Sequence, residues 1–510
     1  MNSKLLLIFF FLFLLILWAV WKMFKTSSNG KLLNLPPGPP KFPIIGNLPQ
    51  LNGALPHHKL RDLAKKYGPV MQLKIGEVPT VIVSSPETAK QVLQTHDAIF
   101  AYRPTLMVAD IMFYKAADII FAPCGDYWKQ LRKICMLELF NSKRVELFRP
   151  IREEEVANLI KSISCSARSP INLSKMVRSL PSTITARAAF GSKCLLYQEE
   201  FIQITKEILD IMAGFGLADL FPSIKLLSTI TGVRYRLKKL HKRVDFVLEK
   251  IIDGHRISRD ESNISIEDED IVHVFLKLQE QGNLEFPLTT DSIKAVILDI
   301  FVGGTDTSAA LTEWAMSELM KNPKAMRKAQ AEVRQIFDRK TSGDETINEE
   351  LKYLKLLIKE TLRLHPPAPF LVLREARKQC QLNGYDIPAK TRVIVNAFAL
   401  GSDPNYWFEP EKFIPERFID NPIDYKGGNF EFLPFGSGRR ICPGSLFGMA
   451  NVELALAHLL YQFDWELPDS KTKEDLDMAE DFGTVTRRKN DLYLIPIPYR
   501  QLPSDHGSPN

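Results

Sequence analysis

Pro434-Phe-Gly-Ser-Gly-Arg-Arg-Ile-Cys-Pro-Gly444 is the stretch on which the reading of this 510-residue chain turns. Its three glycines and two prolines predict an irregular loop, and the apolar periodicity that follows predicts a helix from Ser445 to about Tyr461. Pro443 suits the first helical position, which would put Cys442 at the N-cap. There the partial positive charge of a helix terminus would lower the thiol pKa and favour the thiolate. Gly436 and Gly438 would let backbone N–H groups approach the sulfur, and Gly444 would leave room for a flat group. By itself the stretch leaves two readings open: a metal-ligating thiolate, or the inert buried cysteine that is the commoner fate of a lone Cys.

Working outward, Thr290 or Asp291 can cap a helix that runs to Lys321, where Asn322-Pro323 ends it. At about 1.5 Å per residue it would cross the whole molecule. Midway stands Gly303-Gly304-Thr305-Asp306-Thr307-Ser308. Two glycines in a helix centre cost about 1 kcal/mol each relative to alanine, so something compensates. Close packing of another helix is one compensation; a ligand pressing on a locally opened backbone is the other. Thr307 offers a hydroxyl and Asp306 an acid, the parts of a proton relay. Glu360 and Arg363 lie three apart on one predicted helix face, and Trp128 and Arg132 lie four apart on another. Both spacings are also those of commonplace surface pairs.

Leu5 to Trp21 is wholly apolar and bracketed by Lys4 and Lys22. Seventeen helical residues span about 25 Å, enough for a thin endoplasmic reticulum bilayer. No small-x-small cleavage site follows, so an anchor is expected over residues 1–24 rather than a signal peptide. Lys22, Lys25 and Lys31 outweigh Lys4 and set the bulk of the chain on the cytosolic side. Residues 25–40 form a polar linker ending in Pro36-Pro37-Gly38-Pro39-Pro40, expected as a stiff spacer. The rest, residues 41–510, reads as one mainly α domain with a small β region: strands at Val70–Ile75 and Thr80–Val83 joined through Gly76-Glu77, one at 392–396, and a terminal hairpin within 483–495 turning at Lys489-Asn490-Asp491. Residues 211–231 are apolar and suit either core or a patch dipping into lipid. The net charge of +6 is spread along the chain, which gives no case for nucleic acid. Six dispersed cysteines without a C-x-x-C pair argue against zinc or a disulfide scaffold, and suit a reducing compartment.

The cysteine loop resembles the haem-binding signature of the cytochrome P-450 superfamily, F-x-x-G-x-R-x-C-x-G, at Phe435, Gly438, Arg440, Cys442 and Gly444. Gly303 to Ser308 resembles the family's oxygen-activating [AG]-G-x-[DE]-T-[TS], Glu360 to Arg363 its E-x-x-R, Pro415-Glu416-Arg417-Phe418 its P-E-R-F, and Trp128 to Arg132 its W-x-x-x-R. The resemblance covers nearly the whole chain and is nearest to plant microsomal members acting on terpenoids and alkaloids. It implies the P-450 fold and haem b, with Cys442 as axial ligand and Thr307 and Asp306 as the relay. Trp128, Arg132, Arg374 and Arg440 would meet the haem propionates, with Phe435, Gly438 and Gly444 beside the cofactor. Glu360, Arg363 and Arg417 would form a structural trio that braces the cysteine loop. Val302, Gly303, Ala368, Phe370, Leu371, Phe482 and Thr484 would contact substrate. Leu373 stands where the family often has proline, a departure beside the propionate arginine.

The implied reaction inserts one atom of dioxygen into a lipophilic small molecule and releases the other as water. The chain has no dinucleotide fingerprint, since Gly214-Phe-Gly216 and Gly436-Ser-Gly438 both lack a third glycine and a βαβ setting. The resemblance therefore implies NADPH acting through a separate partner, NADPH-cytochrome P-450 reductase, on the same membrane. Two other functions compete: a haem-thiolate isomerase or dehydratase acting on peroxides without a reductase, and a non-catalytic haem or lipid carrier. The Asp306-Thr307 pair argues against the first, and a carrier would leave it idle.

Overall fold

The computed structural model describes residues 33–500, apart from 54, 192–194, 213–215, 262–268, 340–349 and 470–471. The expected anchor and the polar part of the linker lie outside the described residues.

The centre of the body is the apolar stretch Thr290–Lys321, where residues Ser292–Val302 and Ser308–Met320 are buried. It is long and apolar enough to cross a membrane, yet 83% of its most apolar window is inside the protein, so it is the core helix. Helices Leu173–Phe190, Leu195–Ile211, Lys352–Leu364 and Ser445–Gln462 pack around it. The helix is not continuous as expected. It runs Thr290–Gly304 and resumes at Asp306–Lys321, with Thr305 at φ −92°, ψ −69° between them. Two glycines just before the break make such an opening inexpensive.

The β region forms a lobe at the amino-terminal side. A four-stranded sheet has the order Val70–Ile75, Val78–Val83, Arg392–Val395, Arg374–Glu375. The first two strands pair antiparallel with Val70 opposite Val83, turning at Gly76-Glu77 as expected, with Gly76 at φ +63°. The second and third pair in parallel. The expected terminal hairpin does not form. Arg487–Arg488 pairs with Glu480–Asp481, and Tyr493–Pro498 lies between Ile171–Asn172 and Phe463–Glu466. Long-range partners capture both arms, which a local turn pattern cannot foresee.

The proline run docks on the folded body. Pro37 accepts the Gln72 N–H at 2.8 Å, Asn47 donates to Pro39 and Pro40, and Pro36 and Pro39 are buried. An extended proline backbone keeps its carbonyls free, so it can dock along a sheet edge. A Cβ on Gly38 would fall 2.1 Å from the Gln72 carbonyl oxygen, which is why glycine stands there. Residues 217–231 are partly core and partly surface. Leu220 and Phe221 join the core beneath the sheet, whereas Leu217, Ile224, Leu226 and Ile230 are exposed.

Candidate functional site

Cys442 lies in the loop, two residues before the N-cap, because the following helix starts at Ser445 with Gly444 as its cap. This corrects the expected N-cap position: Cys442 and Pro443 belong to the turn, not to the helix. Burial pushes the Cys442 thiol up, opposed by the Gly444 amide and by the charge of Arg132. The loop is closed by the Cys442 N–H donating to the Phe435 carbonyl at 3.0 Å. Gly438, at φ +71°, packs against a neighbouring segment rather than against the sulfur: a Cβ there would sit 1.9 Å from the Leu93 carbonyl oxygen. Gly444 has open space, with only the Phe140 ring edge near its would-be Cβ at 3.9 Å.

Four guanidiniums gather beside this loop. Arg132, on helix Asp126–Ile134, donates to the Ile441 carbonyl at 2.5 Å. Arg440 donates to the carbonyls of Ala101, Ile119 and Ala122 and lies 4.1 Å from the Trp128 ring centre. Trp128 donates its own indole N–H to Ile119 at 3.0 Å. Arg374 reaches Asp97 at 3.1 Å and the Ser437 carbonyl at 3.3 Å. The fourth is Arg103, which the sequence reading missed; it donates to the carbonyls of Ile120, Val372 and Leu373. Burial, with the charges of Arg440 and Arg374, holds Arg103 well below its ordinary value. Burial also pushes Arg440 down to about 10. Of these four, among the described residues, only Arg374 has a direct carboxylate partner, Asp97. So concentrated an excess of positive charge fits a group carrying carboxylates at its edge, as haem does.

The second part of the site is the break in the core helix. Gly303 is exposed and Gly304 and Thr307 are half-buried, whereas every other residue from Ser292 to Met320 is buried. A Cβ on Gly303 would meet nothing within 4 Å, so this wall of the helix borders open space. The Thr307 hydroxyl donates to the Gly303 carbonyl at 2.7 Å. Asp306 turns elsewhere and forms an ion pair with Arg487. Burial raises the Asp306 carboxyl, with Arg487 pulling the other way. The two halves of the site meet where the helix after Cys442 crosses the core helix: a Cβ on Gly448 would lie 3.3 Å from the Ser308 hydroxyl. An open cleft, a thiol and a flat-accommodating glycine on one wall, and a cationic rim form a cradle that haem fits.

Glu360 is fully buried and accepts from Arg363 twice at 2.8 Å, from Arg417 at 2.9 Å and from the Ile414 N–H at 2.9 Å. The arginines fasten a long irregular segment: Arg363 donates to Gly401, Pro410 and Lys412, and Arg417 to Phe408, Glu409 and Lys412. The trio reaches the cysteine loop through rings, Phe418 packing on Phe432 at 5.4 Å just ahead of Pro434.

The expected substrate residues scatter. Gly303 faces the open cleft, and Val302 is buried in the main core. Ala368 and Leu371 are half-buried, the latter beside Gly436. Phe370 and Phe482 instead pack together at 5.6 Å under the sheet, both against the His57 ring. Thr484 donates to the Leu209 carbonyl. Val372, beside these, is exposed.

A cytochrome P450 family model matches residues 36–495. The chain is 49% identical over 495 residues to premnaspirodiene oxygenase of Hyoscyamus muticus, covering 97% of this chain and 98% of that protein. It is 50% identical over 497 residues to tabersonine 16-hydroxylase 2 of Catharanthus roseus, covering 96% and 97% respectively. Among solved structures, a zebrafish cytochrome P450 determined with progesterone superposes with a TM-score of 0.76 at 25% identity, over 88% of this chain and all of that one.

Proposed function

This chain belongs to the cytochrome P450 family, and on that premise we propose that it is a membrane-bound plant monooxygenase that oxidises a lipophilic terpenoid or alkaloid with electrons passed from NADPH by a separate reductase. Its monooxygenase class rests on relatives of about half identity along nearly the full chain, hydroxylases and oxygenases of terpenoids and alkaloids. The observation that carries the reading is the open wall at Gly303 and Thr307, on the same helix that meets Gly448, six residues after Cys442, at Ser308.

When bound, haem supplies dioxygen activation, with a thiolate ligand favouring O–O cleavage. The chain's own residues do the rest. Cys442 offers the sulfur, and Arg132 next to it favours the anionic form. Arg103, Arg374 and Arg440 would hold the propionates. Thr307 carries a hydroxyl proton that can pivot off the Gly303 carbonyl toward the cleft. Asp306 is ion-paired with Arg487, so it would carry a proton for the relay only on leaving that partner. One oxygen atom enters a C–H bond, the other leaves as water, and two protons and two electrons complete the balance. The intact Thr307 and Asp306 favour this over a peroxide isomerase, which has no use for a relay.

The endoplasmic reticulum location is supported by the apolar segment 5–21 and by an exposed apolar patch on the folded body. Ile45 accepts from the Gly76 N–H, and the neighbouring Glu77 N–H donates to Leu220. Phe42, Ile44 and Ile45 are thereby brought towards Leu217, Ile224, Leu226 and Ile230, all exposed. Exposed apolar side chains on neighbouring segments suit partial immersion in lipid. Microsomes holding the full-length protein and a plant reductase, offered a panel of terpenoids and indole alkaloids, test the function. Oxygenated product that requires both NADPH and reductase is expected; reductase-independent rearrangement of a peroxide would contradict it.

A further inference from the structure

Residues Ile119–Ala122 run between the core helix and the arginine cradle, and their backbone is held from both sides. The N–H groups of Ile119 and Ile120 donate to Asp299 Oδ2 at 2.7 and 3.3 Å. Those of Phe121 and Ala122 donate to Asp118, at 3.1 and 3.0 Å to Oδ1. On the other side, the Ile119 carbonyl takes Trp128 and Arg440, the Ile120 carbonyl takes Arg103, and the Ala122 carbonyl takes Arg440. Four amides on two carboxyl groups are thus coupled directly to the side chains that line the cradle.

Both carboxyl groups are buried, and they grip consecutive amides of one four-residue segment, which sets them side by side. Two neighbouring carboxylates in a buried site cannot both ionise without strong repulsion, and a proton between them removes one of the charges. Asp299 Oδ1 is buried with no N–H or O–H donor in reach, the atom that such a proton would satisfy. We infer that Asp118 and Asp299 share one proton and together act as the positioning pair that holds the Ile119–Ala122 carbonyls where the cradle arginines need them. Among the described residues, the other polar groups nearby are already committed. Tyr127 donates to the Ala117 carbonyl and pairs with the Ser292 hydroxyl, Cys135 is a buried thiol, and Arg103 and Arg440 act through the segment's carbonyls.

Burial holds Asp118 up at about 6, and burial with the neighbouring Asp118 charge holds Asp299 well above the carboxylate range. The folded state therefore keeps protons that the unfolded chain surrenders near pH 4. Local stability is greatest below that point and falls as pH rises through the raised values, when a second charge appears and the pair repels. Loss of the pair should loosen the segment first and the haem second. The haem half rests on the reading that the arginines hold its propionates; the proton half does not.

The test uses full-length haem-loaded protein from about pH 6 to about pH 9, comparing wild type, Asp299→Asn, Asp299→Ala and Arg440→Gln. Amide-exchange protection of residues 119–122 and the rate of haem transfer to an acceptor apoprotein are both followed. In the wild type, protection should fall and haem transfer quicken by at least about tenfold as pH rises. Asp299→Asn, whose amide can donate to Asp118 and accept from Ile119, should stay tight and lose the pH dependence. Asp299→Ala should be loose at every pH. A flat wild-type profile, or an Asn variant that follows either the wild type or the Ala variant, overturns the shared proton. If Arg440→Gln retains haem as firmly as wild type while exchange still follows Asp299, the cradle reading and the haem half of the inference fall instead.

Discussion

The Thr307 hydroxyl donates to the Gly303 carbonyl at 2.7 Å, one turn back along the core helix, and both residues border the cleft while the helix on either side is buried. Threonine in a helix divides between two rotamers because its hydroxyl can bond the preceding turn. The proton is therefore held in reserve on the helix, within one rotation of the open space.

Thr307→Ala removes that proton without touching the cradle. Haem content should be unchanged, since among the described residues the Thr307 hydroxyl bonds the Gly303 carbonyl and none of the four guanidiniums. Product formed per NADPH should fall by about 10²-fold or more, the usual worth of a positioned acid, with peroxide released in its place. Paired assays of NADPH, peroxide and product check this, and retained coupling would contradict the relay.

Two glycine substitutions should behave in opposite ways. Gly303→Ala adds a methyl to open space and should leave fold and haem intact while altering the substrate-induced spectral change. Gly438→Ala places a Cβ 1.9 Å from the Leu93 carbonyl oxygen at φ +71°, so the cysteine loop must shift. Little or no haem should be recovered from it. Absorbance of the two purified variants separates these outcomes.

Glu360→Gln leaves two buried guanidiniums without their shared carboxylate. Removing one partner of a buried ion pair costs about 3–5 kcal/mol, so thermal melting should show a large loss of stability. A melting temperature close to wild type would mean that the carbonyls of Gly401, Pro410 and Lys412 hold the arginines unaided.

Leu226→Glu with Ile230→Glu, made in a chain lacking residues 1–24, should release the protein from vesicles. Each buried apolar side chain is worth about 1.5–3 kcal/mol, so flotation should drop by at least tenfold. Unchanged flotation would assign membrane contact elsewhere.

Local chemistry made much of this readable from the chain alone. The hairpin at Gly76-Glu77 and the helices through Glu360 and Arg363 and through Trp128 and Arg132 depend on neighbours in sequence, and local rules suffice there. Cys442 was misplaced by a residue rule applied too strictly: Pro443 can open a helix, but here Gly444 at φ −90°, ψ 11° caps it. The terminal strands were misread because their partners lie far away, Glu480–Asp481 for one and Ile171–Asn172 with Phe463–Glu466 for the other. Arg103 and the Asp118–Asp299 pair carried no signal. An arginine before a proline and two acids 181 positions apart resemble solvated charges until the fold buries them together. Phe370 and Phe482 show the reverse, apolar residues close to the cleft in sequence order yet packed on His57 beneath the sheet.

The most direct measurement is the spectrum of the reduced carbon monoxide complex of the full-length protein, compared with Cys442→Ala. The wild type should give the band characteristic of a thiolate-ligated haem, and the variant should lose it. A nitrogen-ligated spectrum in the wild type, or a thiolate-type band surviving in Cys442→Ala, would contradict the assignment of this sulfur as the ligand.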